Sequence, residues 1–318
     1  MVLEFREDPT KNEVVVVANE RARRPEVMGR GLCPFCKGEE QNTPPATFVY
    51  PSEENWTVRA FPNLFAAFKT EGVFREKKYG EEFWRSYAYG SHEVIVESGE
   101  HGRLFQELDD KELDAVRRAY QNRLRELGKE EKARYVFLFK NHGRAAGASI
   151  EHEHSQVISL PLVPDLILKE VGANEDYRKK HGNCLYCDLL EREAENTLFE
   201  TGKFVALCPS FSRFPFETWI LPKEHGSDLK EMDEKTANEF MKLLQQCIRA
   251  IYDVSKDYNI VYHAPPEGTD LHFHAEIYPR PNVWAGVELG TGLIINTKTE
   301  KESLAVLKRT NRYGVEED

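Results

Sequence analysis

The stretch His152-Glu153-His154-Ser155-Gln156 has a counterpart in the second half of the chain, His272-Phe273-His274-Ala275-Glu276. The same series of features precedes each copy: a Cys-x-x-Cys pair, two β-rich segments of which the second ends in Glu-His, a helical pattern and an apolar strand. Features that recur in the same order indicate an internal duplication. The sequence therefore predicts an α+β protein with two copies of one domain, each an antiparallel sheet with a long helix packed on it.

The helix of each copy is predicted from apolar periodicity. Apolar residues recur at helical spacing over residues 113–127 and again over residues 240–251. Asp109 and Glu112 precede the first of these runs at the spacing of a capping pair, which predicts where that helix begins.

The two domains are predicted to meet near residues 165–183, since residues 170–183 are polar and include two glycines. This divides the chain into residues 1–170 and 171–318. A parallel α/β fold fits less well, because the sequence has no regular βαβ alternation and no glycine-rich loop between a strand and a helix.

Composition excludes several classes of function. The chain has 318 residues and a formal net charge of −11, which argues against a nucleic-acid binder that relies on a basic surface. The longest aliphatic run, residues 14–18, is far too short to cross a bilayer. The acidic N-terminal stretch has no apolar signal-peptide core, so a cytoplasmic protein without membrane contact is expected.

Four of the six cysteines form two Cys-x-x-Cys pairs, which in a reducing compartment are typical of metal or redox sites. Structural zinc takes four Cys and His ligands. The recurring features supply such a set in each half, with Cys33, Cys36, His101 and His152 in the first and Cys184, Cys187, His225 and His272 in the second. A redox dithiol is the alternative for each pair, and His263, His274 and Glu276 are competing ligands in the second half. A closed Cys2His2 site has no position for water or substrate, so any zinc here is expected to be structural.

The first paired-histidine stretch also suggests a chemistry. In a β-strand, His152, His154 and Gln156 share one face, while Glu153 and Ser155 point to the other. A neutral His154 imidazole could attack phosphorus, and the Gln156 amide could donate to a phosphoryl oxygen. The alternative is that the paired histidines are only metal ligands. The second half has a carboxylate, Glu276, in place of the amide. It would repel a polyphosphate, so this half is expected to be a degenerate copy used for structure and binding.

The motif His152-x-His154-x-Gln156, preceded by residues 141–149 (NHGRAAGAS), closely resembles the galactose-1-phosphate uridylyltransferases of the histidine-triad superfamily. The likeness covers nearly the whole chain and includes residues 21–25 (RARRP), 61–63 (FPN) and 285–288 (AGVE). It implies that both domains are histidine-triad-like and that the first is catalytic.

The resemblance further implies a ping-pong reaction, in which His154 takes UMP from UDP-glucose and passes it to galactose 1-phosphate. It assigns catalytic roles to His154, Gln156 and Ser149, and substrate contacts to Arg21, Arg24, Asn63, Asn141, Ser149, Gln156 and Glu288. In the family the metals are structural. The partner subunit of a dimer supplies the sugar contacts, so a homodimer is expected.

Some positions depart from the family pattern. Bacterial and animal members usually have Pro at the position of Glu153, Gly or Cys at that of Ser155, and commonly Tyr at that of Val287. Residues 290–296 and the second Cys pair look more like the ADP-glucose phosphorylase branch. These departures make a nucleotide-sugar phosphorylase with phosphate as acceptor the nearest alternative. Two alternatives from other classes are a non-catalytic double zinc module and a zinc hydrolase with an open metal position.

Overall fold

The computed structural model describes residues 2–24 and 33–310. Its strands are β1 (Leu3–Asp8), β2 (Glu13–Ala18), β3 (Phe48–Tyr50), β4 (Val58–Pro62), β5 (Arg85–Tyr87), β6 (Ser91–Val96), β7 (Tyr135–His142), β8 (His154–Leu160), β9 (Thr197–Glu200), β10 (Phe204–Leu207), β11 (Thr218–Pro222), β12 (Tyr258–His263) and β13 (His274–Pro279). Its α-helices are α1 (Asp110–Gly128), α2 (Asp165–His181), α3 (Leu185–Arg192), α4 (Glu234–Tyr252), α5 (Gly286–Thr291) and α6 (Glu300–Thr310).

Ten strands form one sheet in the order β3-β4-β6-β8-β7-β12-β13-β11-β10-β9. Neighbouring strands of this sheet are antiparallel. The second five strands repeat the order of the first five from the opposite edge, so the two halves are joined where β7 pairs with β12. The predicted duplication of an antiparallel α+β unit is confirmed.

One long helix of each half, α1 and α4, packs on the same face of this sheet, and the two helices contact each other. The largest apolar cluster lies beneath them and includes residues of both halves, among them Tyr120 and Phe240. At the start of α1, Asp109 accepts hydrogen bonds from the backbone N–H groups of Lys111 and Glu112, and the Glu112 carboxylate accepts one from the Asp109 N–H. The predicted capping pair is confirmed.

The predicted division of the chain at residue 170 falls inside α2. Together with α3, this helix lies between β8, the last strand of the first half, and β9, the first strand of the second half. Because the sheet and its core continue from one half into the other, the division into residues 1–170 and 171–318 stays a prediction.

A second sheet, in the order β2-β1-β5, was not anticipated from the sequence. Leu3, Phe5 and Trp84 of this region form a buried cluster with Ile158 and Leu160 of β8, so the small sheet supports the strand that begins at His154. Within residues 2–24 and 33–310, no helix combines the length and apolar character that crossing a membrane requires.

Candidate active site

His154 is the first residue of β8, a strand that is buried along its whole length. Its Nδ1–H donates a hydrogen bond of 2.7 Å to the carbonyl oxygen of His152. This bond fixes the tautomer, because a neutral imidazole with its proton on Nδ1 keeps a lone pair on Nε2. Burial lowers the pKa of His154 to about 4, so the ring is neutral at pH 7. The arrangement is that of a nitrogen nucleophile.

Beside His154 lies a cavity of about 440 Å³, large enough for a small-molecule ligand. Its apolar wall is built from aromatic and branched side chains, namely Phe35, Phe61, Leu64, Phe65, Val94 and Ile150. Its polar lining includes Arg24, Asn63, Ser149, His154 and Gln156. Glu153 and Ser155 belong to a hydrogen-bond network away from this cavity, which confirms the alternation expected along the strand.

The amide of Gln156 is oriented by His92, a residue that sequence reasoning did not single out. The backbone N–H of Ala67 donates to Nδ1 of His92 at 3.1 Å, so His92 carries its proton on Nε2 and donates to Oε1 of Gln156 at 2.9 Å. Asn63 Nδ2 approaches the same oxygen at 3.5 Å. With its oxygen held in this way, Gln156 offers N–H groups to a ligand. A lone histidine in a strand has no spacing pattern that would reveal such a role.

The buried position of His92 predicts a measurable pH dependence of stability. Burial lowers its pKa to about 4, whereas the unfolded chain has an ordinary histidine pKa of about 6.5. Between these values the unfolded state binds a proton that the folded state does not. The free energy of unfolding therefore falls as the pH falls, by up to about 1.4 kcal/mol per pH unit from this residue. We expect His92→Gln to have a shallower dependence in urea titrations between pH 7 and pH 4.5. Equal slopes in the two proteins would contradict this role, because the other buried histidines contribute equally to both.

The structure brings most of the predicted site residues together, but three do not line the cavity. Arg21 Nη1 donates to the carbonyl oxygen of Phe65 at 2.9 Å, beside the cavity wall. Asn141 accepts from the amide of Asn259 at 2.7 Å. Glu288 lies on α5, where its carboxylate accepts from the Ala285 N–H. Pro25, part of the predicted basic motif, is outside the described residues. The substrate roles of these residues stay predictions.

The four donors predicted in the first half converge on one point. The ligand atoms of Cys33, Cys36, His101 and His152 all lie within 4.8 Å of one another, in a group that could hold a metal ion. His152 Nδ1 is 3.6 Å from each sulfur, and its Nε2 donates to the Ser98 carbonyl oxygen at 2.7 Å. A ligand histidine whose second nitrogen is fixed by a carbonyl is typical of metal sites.

The second predicted group converges in the same way. Cys184, Cys187, His225 and His272 also have their ligand atoms within 4.8 Å of one another. His225 Nε2 lies 2.6 Å from a carboxylate oxygen of Asp270, and His272 Nε2 lies 2.9 Å from the Pro222 carbonyl oxygen. Because both Nε2 atoms are bonded in this way, the nitrogens that face the sulfurs are the Nδ1 atoms, as in the first half.

The competing ligands of the second half form a separate group. Glu170, His263, His274 and Glu276 lie within 4.8 Å of one another and include none of the cysteine-site residues. The Glu276 carboxylate is also paired with Arg213 at 2.6 Å. The Cys2His2 set is therefore complete without them.

The counterpart of the cavity in the second half is filled. Strand register places Trp219 where the first half has Val94, since Val94 pairs with Gln156 and Trp219 pairs with Glu276. Trp219 stacks on His274 with ring centroids 5.2 Å apart. Its large aromatic side chain thus occupies the space that is open beside His154. This filling supports the expectation that the second half is a degenerate copy.

Comparison with known proteins assigns the chain to a family. Residues 6–164 match the family described as galactose-1-phosphate uridyl transferase, N-terminal domain, and residues 170–287 match its C-terminal domain. The galactose-1-phosphate uridylyltransferase of Thermotoga maritima is 29% identical and covers 97% of this chain and 99% of its own length. A solved structure of a uridylyltransferase mutant superposes with a TM-score of 0.84 at 28% identity, over 99% of this chain and 100% of its own.

A second solved structure is similar over almost as much of the chain. The ADP-glucose phosphorylase of Arabidopsis thaliana with bound ADP-glucose superposes with a TM-score of 0.79 at 29% identity, over 96% of this chain and 98% of its own. The uridylyltransferase and phosphorylase structures thus share this chain's fold to a similar extent. Because residues 6–164 and 170–287 match its two domains, the protein belongs to the galactose-1-phosphate uridyl transferase family.

Proposed function

We propose that this protein is a hexose-1-phosphate uridylyltransferase that moves UMP from UDP-glucose to galactose 1-phosphate through a covalent histidine intermediate. The observation that carries the proposal is the hydrogen bond from His154 Nδ1–H to the His152 carbonyl oxygen, which leaves Nε2 as the nucleophile beside a 440 Å³ cavity. A cytoplasmic homodimer, as expected from the sequence, is part of the proposal.

The reaction has two displacements at the same phosphorus. His154 Nε2 forms a bond to the α-phosphorus of UDP-glucose, and the bond from that phosphorus to the bridging oxygen breaks. The bridging oxygen leaves with glucose 1-phosphate. A phosphate oxygen of galactose 1-phosphate then attacks the same phosphorus. The phosphorus–nitrogen bond breaks, UDP-galactose leaves and the His154 lone pair is restored.

Neighbouring side chains supply the charge stabilisation that each displacement needs. Gln156, oriented by His92, donates an N–H to a phosphoryl oxygen, and Ser149 lines the same cavity. Arg24 also lines the cavity and brings a cation to the diphosphate. The aromatic wall offers the base an apolar surface to pack against.

Zinc fits both Cys2His2 groups. Zinc–sulfur and zinc–nitrogen bonds of about 2.3 and 2.0 Å place neighbouring S and N ligands of a tetrahedron roughly 3.6 Å apart. The sulfur–Nδ1 distances are 3.6 and 3.7 Å in the first group and 3.7 to 3.9 Å in the second. We propose structural zinc at both groups, because four protein ligands leave no position for substrate.

The test is the intact mass of the metal-loaded protein after brief incubation with UDP-glucose or with ADP-glucose, without acceptor. We expect a UMP adduct with UDP-glucose that is labile in acid and maps to His154. Addition of galactose 1-phosphate should discharge it. Absence of an adduct with both donors, in folded protein, would reject covalent nucleotidyl transfer from these sugars.

A second candidate is a nucleotide-sugar phosphorylase that uses the same histidine and passes the nucleotide to inorganic phosphate. The complete Cys2His2 group of the second half favours it, because the second Cys pair resembles the ADP-glucose phosphorylase branch. An AMP adduct that inorganic phosphate discharges would identify this activity. Discharge of a UMP adduct by galactose 1-phosphate alone would reject it.

A further inference from the structure

A buried ionic network lies on the face of the sheet opposite the cavity, directly behind His154. Its centre is Lys140 on β7, which is fully buried and ion-paired with both Glu97 and Glu153. The Glu153 carboxylate also accepts from His142 Nδ1 at 2.9 Å. Glu97 follows β6 and accepts from the Tyr120 hydroxyl of α1 at 2.5 Å. The network therefore ties three neighbouring strand segments to the long helix.

The network binds the side chains of the two residues that flank His154 in the chain. Glu153, which precedes His154, is bound through its carboxylate to Lys140. Ser155, which follows, donates to Glu97 Oε1 at 2.5 Å and lies 2.7 Å from the Tyr120 hydroxyl. Since residues 153 and 155 are anchored on one face of the strand, the direction of the His154 side chain on the other face is restricted.

The second half shows that the fold does not need these charges. By repeat spacing and strand register, the counterparts of Glu153, Ser155 and Lys140 are Phe273, Ala275 and Tyr262. The segment that corresponds to Glu97 and Ser98 is Leu221-Pro222, which carries no charge. Phe273 packs against Phe240 of α4, with ring centroids 5.7 Å apart. Apolar packing thus holds the His274 strand, in the half that has no open cavity beside its histidine. Buried ion pairs contribute little net stability compared with well-packed apolar residues, so an ionic network behind His154, where the other half has apolar packing behind His274, calls for another explanation.

We propose that Glu153 and Lys140 are positioning residues for nucleotidyl transfer: they fix the strand so that His154 Nε2 points at the phosphorus while Nδ1–H stays bound to the His152 carbonyl. This inference rests on the proposed function. It adds that the reactivity of His154 depends on a carboxylate that faces away from the substrate. A displacement of the nucleophile by a fraction of an ångström is enough to slow a reaction that requires alignment.

The test uses Glu153→Gln, which keeps the shape but removes the charge. It also uses Glu153→Leu, which leaves Lys140 paired with Glu97 and so still allows folding. In single-turnover measurements on metal-loaded protein, we expect the rate constant of adduct formation to fall about 10- to 100-fold, with the Kd for UDP-glucose unchanged. Glu217→Gln is the matched control. Glu217 lies in the second half, is equally buried, accepts from Trp219 Nε1 at 2.8 Å and has no place in the network. We expect this control to lose stability without a loss in rate.

A readout without substrate separates this inference from the proposed function. In ¹⁵N-histidine NMR of the metal-loaded protein, the His154 Nδ1 proton gives a signal that the His154→Asn variant identifies by its loss. We expect this proton to shift and to exchange faster with water in Glu153→Leu but not in Glu217→Gln. An unchanged signal and rate, with lower thermal stability alone, would overturn the positioning role. If the wild-type protein forms no adduct, the proposed function fails and the NMR result alone decides the inference.

Discussion

His154→Asn stops covalent nucleotidyl transfer, with the rate of adduct formation reduced by at least about 10⁴-fold. The physical reason is that an asparagine amide nitrogen has no available lone pair, while its size and polarity are close to those of the imidazole it replaces. The change therefore removes the nucleophile and leaves the cavity wall and its donors in place. The measurement is the time course of the adduct by intact mass, with donor binding measured by calorimetry.

The repeat supplies the control for this experiment. His274 has the same position in the second half and donates in the same way to the His272 carbonyl oxygen, at 2.9 Å. Because Trp219 stacks on it, the space beside its ring is filled. We expect His274→Asn to form the adduct at the wild-type rate in folded protein. An adduct that survives in His154→Asn, or one that disappears in His274→Asn, would show that the nucleophile has been placed in the wrong half.

Disruption of the first Cys2His2 group is expected to have the second largest effect on the protein. We expect Cys33→Ser to bind one metal equivalent fewer than the wild type and to lose about 5 kcal/mol or more of unfolding free energy, because metal binding by a structural site stabilises only the folded state. We also expect adduct formation to slow by about 10- to 100-fold, since the ligand His152 also provides the carbonyl that holds His154 Nδ1–H. Elemental analysis, thermal unfolding and single-turnover kinetics measure the three effects.

Cys184→Ser shows whether a metal group affects adduct formation directly or only through the stability of the protein. It removes the corresponding sulfur of the second group, far along the sheet from His154. We expect the same loss of one metal equivalent and a similar loss of stability, but adduct formation at the wild-type rate below the unfolding temperature. Equal slowing in both variants would mean that the metal acts on the reaction through general stability and not through His152.

Much of the site could be predicted from local sequence patterns. The repeat of features in the two halves led to the duplicated antiparallel fold, and the matched positions of cysteines and histidines led to both four-ligand groups. Alternation along a strand placed His154 and Gln156 on one face and Glu153 on the other. These properties depend on periodicity and on spacing in a duplicated chain, both of which are readable without knowing which strands become neighbours.

Other features arise only when distant segments meet. His92 acts on Gln156 because β6 lies beside β8, and Lys140 reaches Glu153 because β7 lies on the other side of the same strand. The separation of Glu170 and Glu276 from the cysteine group, and the pairing of Asn141 with Asn259, likewise depend on strand register.

The sequence by itself determined the duplication and predicted the nucleophile and the two ligand sets, because each depends on residue types at short or repeated spacings. Only the tertiary structure decided which half has room for a substrate. That outcome depends on the volume of one side chain at one register position: valine at 94 leaves a cavity beside His154, and tryptophan at 219 fills the equivalent space beside His274.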